Sequence, residues 1–301
     1  MKPILKIFIN AVVAAARIPQ LGSAVYVCNL LMAAVIAAAF RAFVAGTDSV
    51  SSLAPLFTDF DATLASDFLN RHGEAIGALA RAVVPLALLS LAVNVILTGG
   101  ILSLLSSRQK FSLRGFLRGC GHFAGRFLRV FFLVCLLLAA VGGIMLTIFA
   151  GLDALLSSPV TAETRGNLIV AIGILATGFM LVVVVMVGDY ARVLTVVDDG
   201  RSMLKALWSS FRFILRSAAG AFGVQYLFLL VNIGLFLLYL SAEWHTGTGS
   251  GFFLGFLFVV QQLVMIARAF LRTALFAGEV ELAALSAAGR LEAVAPVTAG
   301  T

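Results

Sequence analysis

The chain has 301 residues, of which 61% are apolar and only 12% charged, and its mean hydropathy is +1.09. A soluble globular chain is about half apolar and about a quarter charged, so the composition excludes a water-soluble fold around one core. The net charge of +7 then belongs to the flanks of membrane segments, and nucleic-acid binding is not expected.

Residues 2 to 17 come first. At about 100° per residue, Lys2, Lys6, Asn10 and Arg17 share one arc, with Ile4, Leu5, Phe8 and Val12 elsewhere on the wheel. That pattern predicts an amphipathic helix with Pro3 in its first turn. Lys2 and Lys6 ahead of Ile7 to Ala16 also have the form of a secretory signal, but cleavage would leave an outside N-terminus, which the charge distribution opposes.

Six apolar runs follow, at about Ala24 to Val44, Ala82 to Leu105, Val130 to Gly151, Leu168 to Val187, Ala221 to Leu240 and Phe252 to Ala267, the last continuing towards Ala277. Each approaches the roughly 20 residues a helix needs to cross about 30 Å of hydrocarbon. The loop between the first two runs, about residues 47 to 80, is the only long one on its side. Pro55, Leu56, Phe57, Phe60, Leu64 and Phe68 suggest a short amphipathic helix there.

After the second run, Arg114, Arg118, His122, Arg126 and Arg129 lie on one arc, with Leu113, Leu117, Cys120, Phe123 and Phe127 mostly opposite. Ser112 stands at the N-cap position. After the fourth run, Lys205, Ser209, Arg212 and Arg216 oppose Met203, Leu207, Phe211 and Ile214, with Ser202 at the matching cap. Residues 110 to 123 and 200 to 213 also align without gaps at Ser112/Ser202, Leu117/Leu207 and Phe123/Phe213.

The predicted fold is therefore all-α and polytopic: six transmembrane helices in three units, about 1–106, 107–193 and 194–278, each an interfacial amphipathic helix leading a transmembrane hairpin. Residues 1–278 form one membrane domain, and 279–301 are expected to be a short, flexible polar tail.

Orientation follows from charge. With six spans and an inside N-terminus, 17 of the 21 basic residues face the cytoplasm, while eight of the fourteen acids lie outside. The positive-inside rule puts both termini in the cytoplasm, in a cell (inner) membrane. Lys2, Lys6, Arg17, Arg114, Arg118, Arg126, Lys205, Arg212 and Arg216 become candidate contacts for anionic lipid headgroups. Asp189, Arg192, Arg268 and Arg272, at the inner ends of the fourth and sixth spans, form a candidate ion-pair cluster, with Glu279 and Glu281 following.

Chemistry is sparse. The span centres contain no Asp, Glu, Lys, Arg or His, which lowers the case for ion-coupled transport. Asn29, Asn94, Gln225, Asn232, Gln261 and Gln262 read as hydrogen-bonding groups between helices. Gly99 with Gly100, Gly142 with Gly143, and Gly251 with Gly255 could admit close helix approach. The three cysteines have no paired spacing. His72, His122 and His245 suggest no metal site, and no cofactor or catalytic constellation is apparent.

The stretch Asp189, Tyr190, Ala191, Arg192, Val196, Val197, Asp198, Asp199, Gly200, Arg201, Ser202, Ala206, Leu207, Trp208, Ser209 and Phe213 resembles an element of uncharacterised bacterial multi-pass families, among them the membrane domain that accompanies some glycerophosphoryl diester phosphodiesterases. Catalysis in those proteins belongs to a separate soluble barrel, so the resemblance implies the membrane module without the enzyme. The expected function is a non-enzymatic membrane module that contacts anionic lipid, a protein partner or a second copy of itself. The alternatives are a permease for an apolar or lipid-like substrate and a lipid-modifying membrane enzyme.

Overall fold

A computed structural model describes residues 2–46, 70, 73–107, 111–156, 162–200, 202–246 and 251–294. Among them the helices are α1 (Lys2–Ala16), α2 (Pro19–Gly46), α3 (Gly73–Ser107), α4 (Leu113–Leu156), α5 (Ala162–Val197), α6 (Met203–Arg216), α7 (Ala218–Thr246) and α8 (Gly251–Val294). Six of these, α2, α3, α4, α5, α7 and α8, are long and apolar enough to cross a membrane, and they contain the six runs read from the sequence. The helix expected around Pro55 to Phe68 lies outside the described residues.

Two of the three amphipathic segments are separate helices. Between α1 and α2 the ladder tightens where the Ile18 N–H donates to the Ala15 carbonyl at 3.1 Å. Pro19 follows, and a proline disfavours helical geometry in the residue before it. Between α6 and α7 the break is Ser217, at φ −116° and ψ 35°. The middle segment does not break off. Leu113 to Arg129 are the first turns of the 44-residue α4, about 66 Å long at 1.5 Å per residue. No proline lies anywhere in α4, so nothing halts the ladder where the basic segment meets the apolar run.

The expected tail also differs. Helix α8 continues past Glu279 to Val294, and Glu279, Leu282 and Ala283 are buried.

The chain divides into two compact units, residues 23–94 and residues 1–22 with 95–301. In the smaller unit, Asn94 Nδ2 donates to Asn29 Oδ1 at 2.7 Å, a side-chain bridge between α2 and α3. In the larger unit the core gathers at one end of the helices. Ile7, Ala11 and Ala15 of α1 meet Val130 and Val134 of α4, Met186 and Tyr190 of α5, Phe213 of α6, Val224 and Phe228 of α7, and Ala274 and Ala277 of α8. Further along the same helices, Leu146, Leu175, Leu238 and Phe252 are exposed, as lipid-facing residues can be.

Close approach at the core end depends on missing side chains. A Cβ on Gly119 of α4 would come within 2.8 Å of Ser103 Cβ and 3.2 Å of Gly100 Cα on α3, whereas at Gly142 and Gly143 nothing lies within 4 Å. Gly119→Leu should therefore lower stability by about 1–3 kcal/mol, the usual cost of overpacking, and Gly142→Leu should cause no loss. Thermal unfolding in detergent micelles checks both. Equal melting of the two variants would show that α3 and α4 are not in contact there.

Candidate functional site at the basic end

Helix α6 is built from three stripes, each one residue on from the last. Met203, Leu207, Ser210 and Ile214 are buried, and Ser210 Oγ donates to the Val187 carbonyl of α5 at 2.7 Å. Leu204, Trp208, Phe211 and Leu215 repeat the same spacing about 100° round the helix, yet they are 69%, 60%, 39% and 63% exposed. Lys205, Ser209, Arg212 and Arg216 form the third stripe, also exposed. The helical wheel grouped Phe211 with Met203, Leu207 and Ile214 as one apolar face. In the structure it belongs to a second apolar stripe that the protein leaves uncovered.

Helix α1 repeats the arrangement. Ile7, Ala11 and Ala15 are buried, while Leu5, Ile9 and Val13 are exposed, as are Lys6, Asn10 and Arg17. Asn10 Nδ2 donates to Glu281 Oε1 of α8 at 2.8 Å. Lys2 lies in the first turn of α1. At the start of α4, Phe116, Cys120, Phe123 and Phe127 are buried. Arg114 and Arg118 are exposed, and so are Leu113 and Leu117, which the wheel had grouped with Cys120, Phe123 and Phe127. Ser112 is a true cap, its Oγ accepting from the Gly115 N–H at 3.1 Å, whereas Ser202 holds the cap position of α6 without a side-chain hydrogen bond.

The turn from α5 into α6 is clasped to α4. Asp199 takes a left-handed φ of 46°, and its Oδ1 accepts from Arg126 at 2.5 Å with His122 Nε2 at 3.8 Å. The hydrogen bond and charge of Arg126 hold the Asp199 carboxyl below the usual carboxylate range, and His122 adds to this. Arg126 thus clasps a turn instead of standing open with Arg114 and Arg118.

Asp189 and Arg192, one turn apart on α5, form a buried ion pair at 2.5 Å. Arg272 of α8 lies within electrostatic reach of both and stacks over the Phe276 ring at 5.8 Å. Glu279, fully buried, is within electrostatic reach of Asp189 and Arg192, as is Tyr190 of Glu279. Among the described residues, both Glu279 carboxyl oxygens, the Tyr190 hydroxyl and Arg192 Nε have no hydrogen-bond partner. Arg192 is thus the ion-pair partner of Asp189, with Arg272 and Glu279 within electrostatic reach. Arg268 is exposed and lines a groove of about 500 Å³ with Asn232, Tyr239 and Gln261.

A second groove, of about 600 Å³, runs between α1, the end of α3 and α8, with Arg17, Asn10 and Glu281 among its lining. Among the described residues no group of three or more His, Cys, Asp or Glu side chains could hold a metal ion. Comparison of the chain with protein-family models, with curated proteins and with solved structures gives no match.

Two outcomes test these assignments. Asp189→Asn leaves Arg192 buried without its partner and should cost roughly 3–5 kcal/mol, while Arg268→Gln should cost less than about 1 kcal/mol; chemical unfolding in micelles compares them, and the reverse order would contradict the pairing. For Asp199, a lowered folded pKa means that the clasp contributes stability above the ordinary carboxylate value of about 4 and loses it as pH falls through the lower folded value. The stability gap between the native chain and Asp199→Asn should stay constant at neutral and mildly acid pH and close only below about pH 4.

Proposed function

We propose that the protein is a non-enzymatic module of the cell (inner) membrane that holds anionic lipid through helices lying in the cytoplasmic interface. The observation that carries this reading is the second stripe of α6. A helix docked through one apolar face does not normally leave another apolar face open beside a row of cations, because water penalises the exposed surface. Lipid removes the penalty: acyl chains cover Leu204, Trp208, Phe211 and Leu215, and phosphates receive Lys205, Arg212 and Arg216. Helix α1 follows the same rule with Leu5, Ile9 and Val13 beside Lys6 and Arg17. The start of α4, with Arg114 and Arg118, makes the third such element, although it is continuous with its span.

Orientation rests on the excess of basic residues at this end. The only two tryptophans agree with the placement. Trp208 is on α6, and the exposed Trp244 is near the far end of α7, which rises about 40 Å from Ala218 to Trp244. That separation approaches the full thickness of a bilayer with its headgroups, and tryptophan favours both interfaces. The resemblance of residues 189–213 to a phosphodiesterase-associated membrane domain supports a membrane module that lacks the catalytic barrel.

The two tryptophans also supply the test. In a Trp244→Phe protein, Trp208 is the sole tryptophan. Its fluorescence in vesicles should be quenched by lipids brominated near the headgroup more than by lipids brominated at the chain ends, and little by aqueous iodide. Strong iodide quenching with no effect of brominated lipid would reject an interfacial α6.

A further inference from the structure

The polar side of α6 does more than face the leaflet. It borders a groove of about 440 Å³ between α6, the end of α5 and the end of α8, with Arg212, Arg216, Asp198 and Ser286 in its walls. A second groove of about 340 Å³ continues it along α6 towards Lys205 and shares Asp198 and Ser209 with the first. Among the described residues, three cations and one carboxylate therefore line these adjoining grooves. Among the described residues, Lys205, Arg212 and Arg216 make no ion pair, so their charge is available to a ligand.

The spacing of these groups defines a chemistry. Arg212 and Arg216, one turn apart, both line the larger groove, and their planar donor forks suit phosphate oxygens. Ser209 adds a hydroxyl on the same stripe. Asp198 would repel a second phosphate but accepts hydrogen bonds from hydroxyl groups. The exposed Trp208 and Leu215 on the neighbouring stripe offer a path for acyl chains leading away from the groove. A basic pocket beside membrane-spanning helices is a recurrent way of holding an acidic headgroup.

We propose that this groove is a binding site for an anionic phosphodiester lipid with a hydroxylated headgroup, of the phosphatidylglycerol type. The phosphate sits between Arg212 and Arg216, and the headgroup hydroxyls reach Ser209 and Asp198. The inference rests on the interfacial placement of α6 argued above, and adds that one lipid is held at a defined place rather than by diffuse attraction.

The test uses the full chain in nanodiscs containing phosphatidylglycerol, phosphatidic acid and phosphatidylcholine, with native mass spectrometry reading the lipids retained on release. The native protein should keep phosphatidylglycerol in preference to the other two. Arg212→Gln with Arg216→Gln should reduce that retention at least tenfold, whereas Arg129→Gln with Arg268→Gln, which removes the same charge from exposed positions elsewhere, should leave it unchanged. Arg212→Lys with Arg216→Lys preserves the charge but not the forks and should give an intermediate loss, which keeps the test valid if the glutamine pair folds poorly. Asp198→Asn should narrow the preference for phosphatidylglycerol over phosphatidic acid.

Equal loss in the two glutamine pairs would overturn the site and leave diffuse attraction, as would no loss in either. Displacement of the lipid by millimolar inorganic phosphate would overturn the lipid assignment in favour of a soluble phosphate. Trp208 quenching in the Arg212→Gln and Arg216→Gln protein separates the two proposals, since α6 should stay in the interface even when the headgroup is lost.

Discussion

Lipid gives apolar helices no reason to bury their surfaces against one another, because acyl chains solvate leucine as well as leucine does. Helices in such a solvent are held where something other than hydrophobicity joins them. In the larger unit that place is the basic end. Asp189 and Arg192 pair there inside the protein, Arg272 and Glu279 lie within reach of their charges, and small residues let the helices close around them. A Cβ on Gly278 of α8 would press on Ala11 of α1 and Val224 of α7, and one on Gly188 of α5 would clash with Val134 of α4. A group of charges can persist there only if the surrounding helices exclude water and supply counter-charge together, so the ion pair and the close packing require each other.

The extent of the remaining elements follows from that constraint. Helix α8 continues beyond its apolar run and packs there against α1, where Glu281 meets Asn10, and the first turns of α4 bring Phe116, Phe123 and Phe127 to the same end. Helix α6 closes the end from the side, held by Met203, Leu207 and Ile214 and by the Ser210 hydroxyl on the α5 backbone. It cannot also bury its second apolar stripe, since the side facing the bundle is already filled. In the proposed function the stripe left outside faces lipid, and the cations beside it select acidic headgroups.

The six spans were legible because each is a long run of apolar residues, a signal that depends on composition and hardly at all on tertiary contacts. Helices α1 and α6 were legible from the phasing of Lys6 and Arg17, and of Lys205, Arg212 and Arg216. The merging of the 113–129 segment with its span was not, because basic residues on one face look the same whether or not the helix continues. The order beyond Glu279 was hidden for a related reason. A segment containing three glutamates reads as polar, and only the packing of α8 against α1 and α5 shows that Glu279 comes to be inside. The division of α6 into three stripes needed the docked position of the helix, since hydropathy cannot tell an apolar face that meets protein from one that meets lipid. Phe211, assigned to the wrong stripe, shows this directly. Which arginine of the candidate cluster pairs with Asp189 was not legible, because residues one turn apart on one helix compete on equal terms with residues on another until the rotation of both helices is known.

The central claim is that the open apolar stripes of α1 and α6 meet lipid. Spin labels at Leu5 and Ile9 of α1 and at Leu204 and Leu215 of α6, in the protein reconstituted in vesicles, test it by their relative collision rates with oxygen, which partitions into the bilayer, and with a water-soluble nickel chelate. The account predicts that all four sites favour oxygen, approaching the value at the span residue Leu237, while a label at Arg118 favours nickel. Preferential collision of the α1 and α6 labels with nickel would place both stripes in water and contradict it.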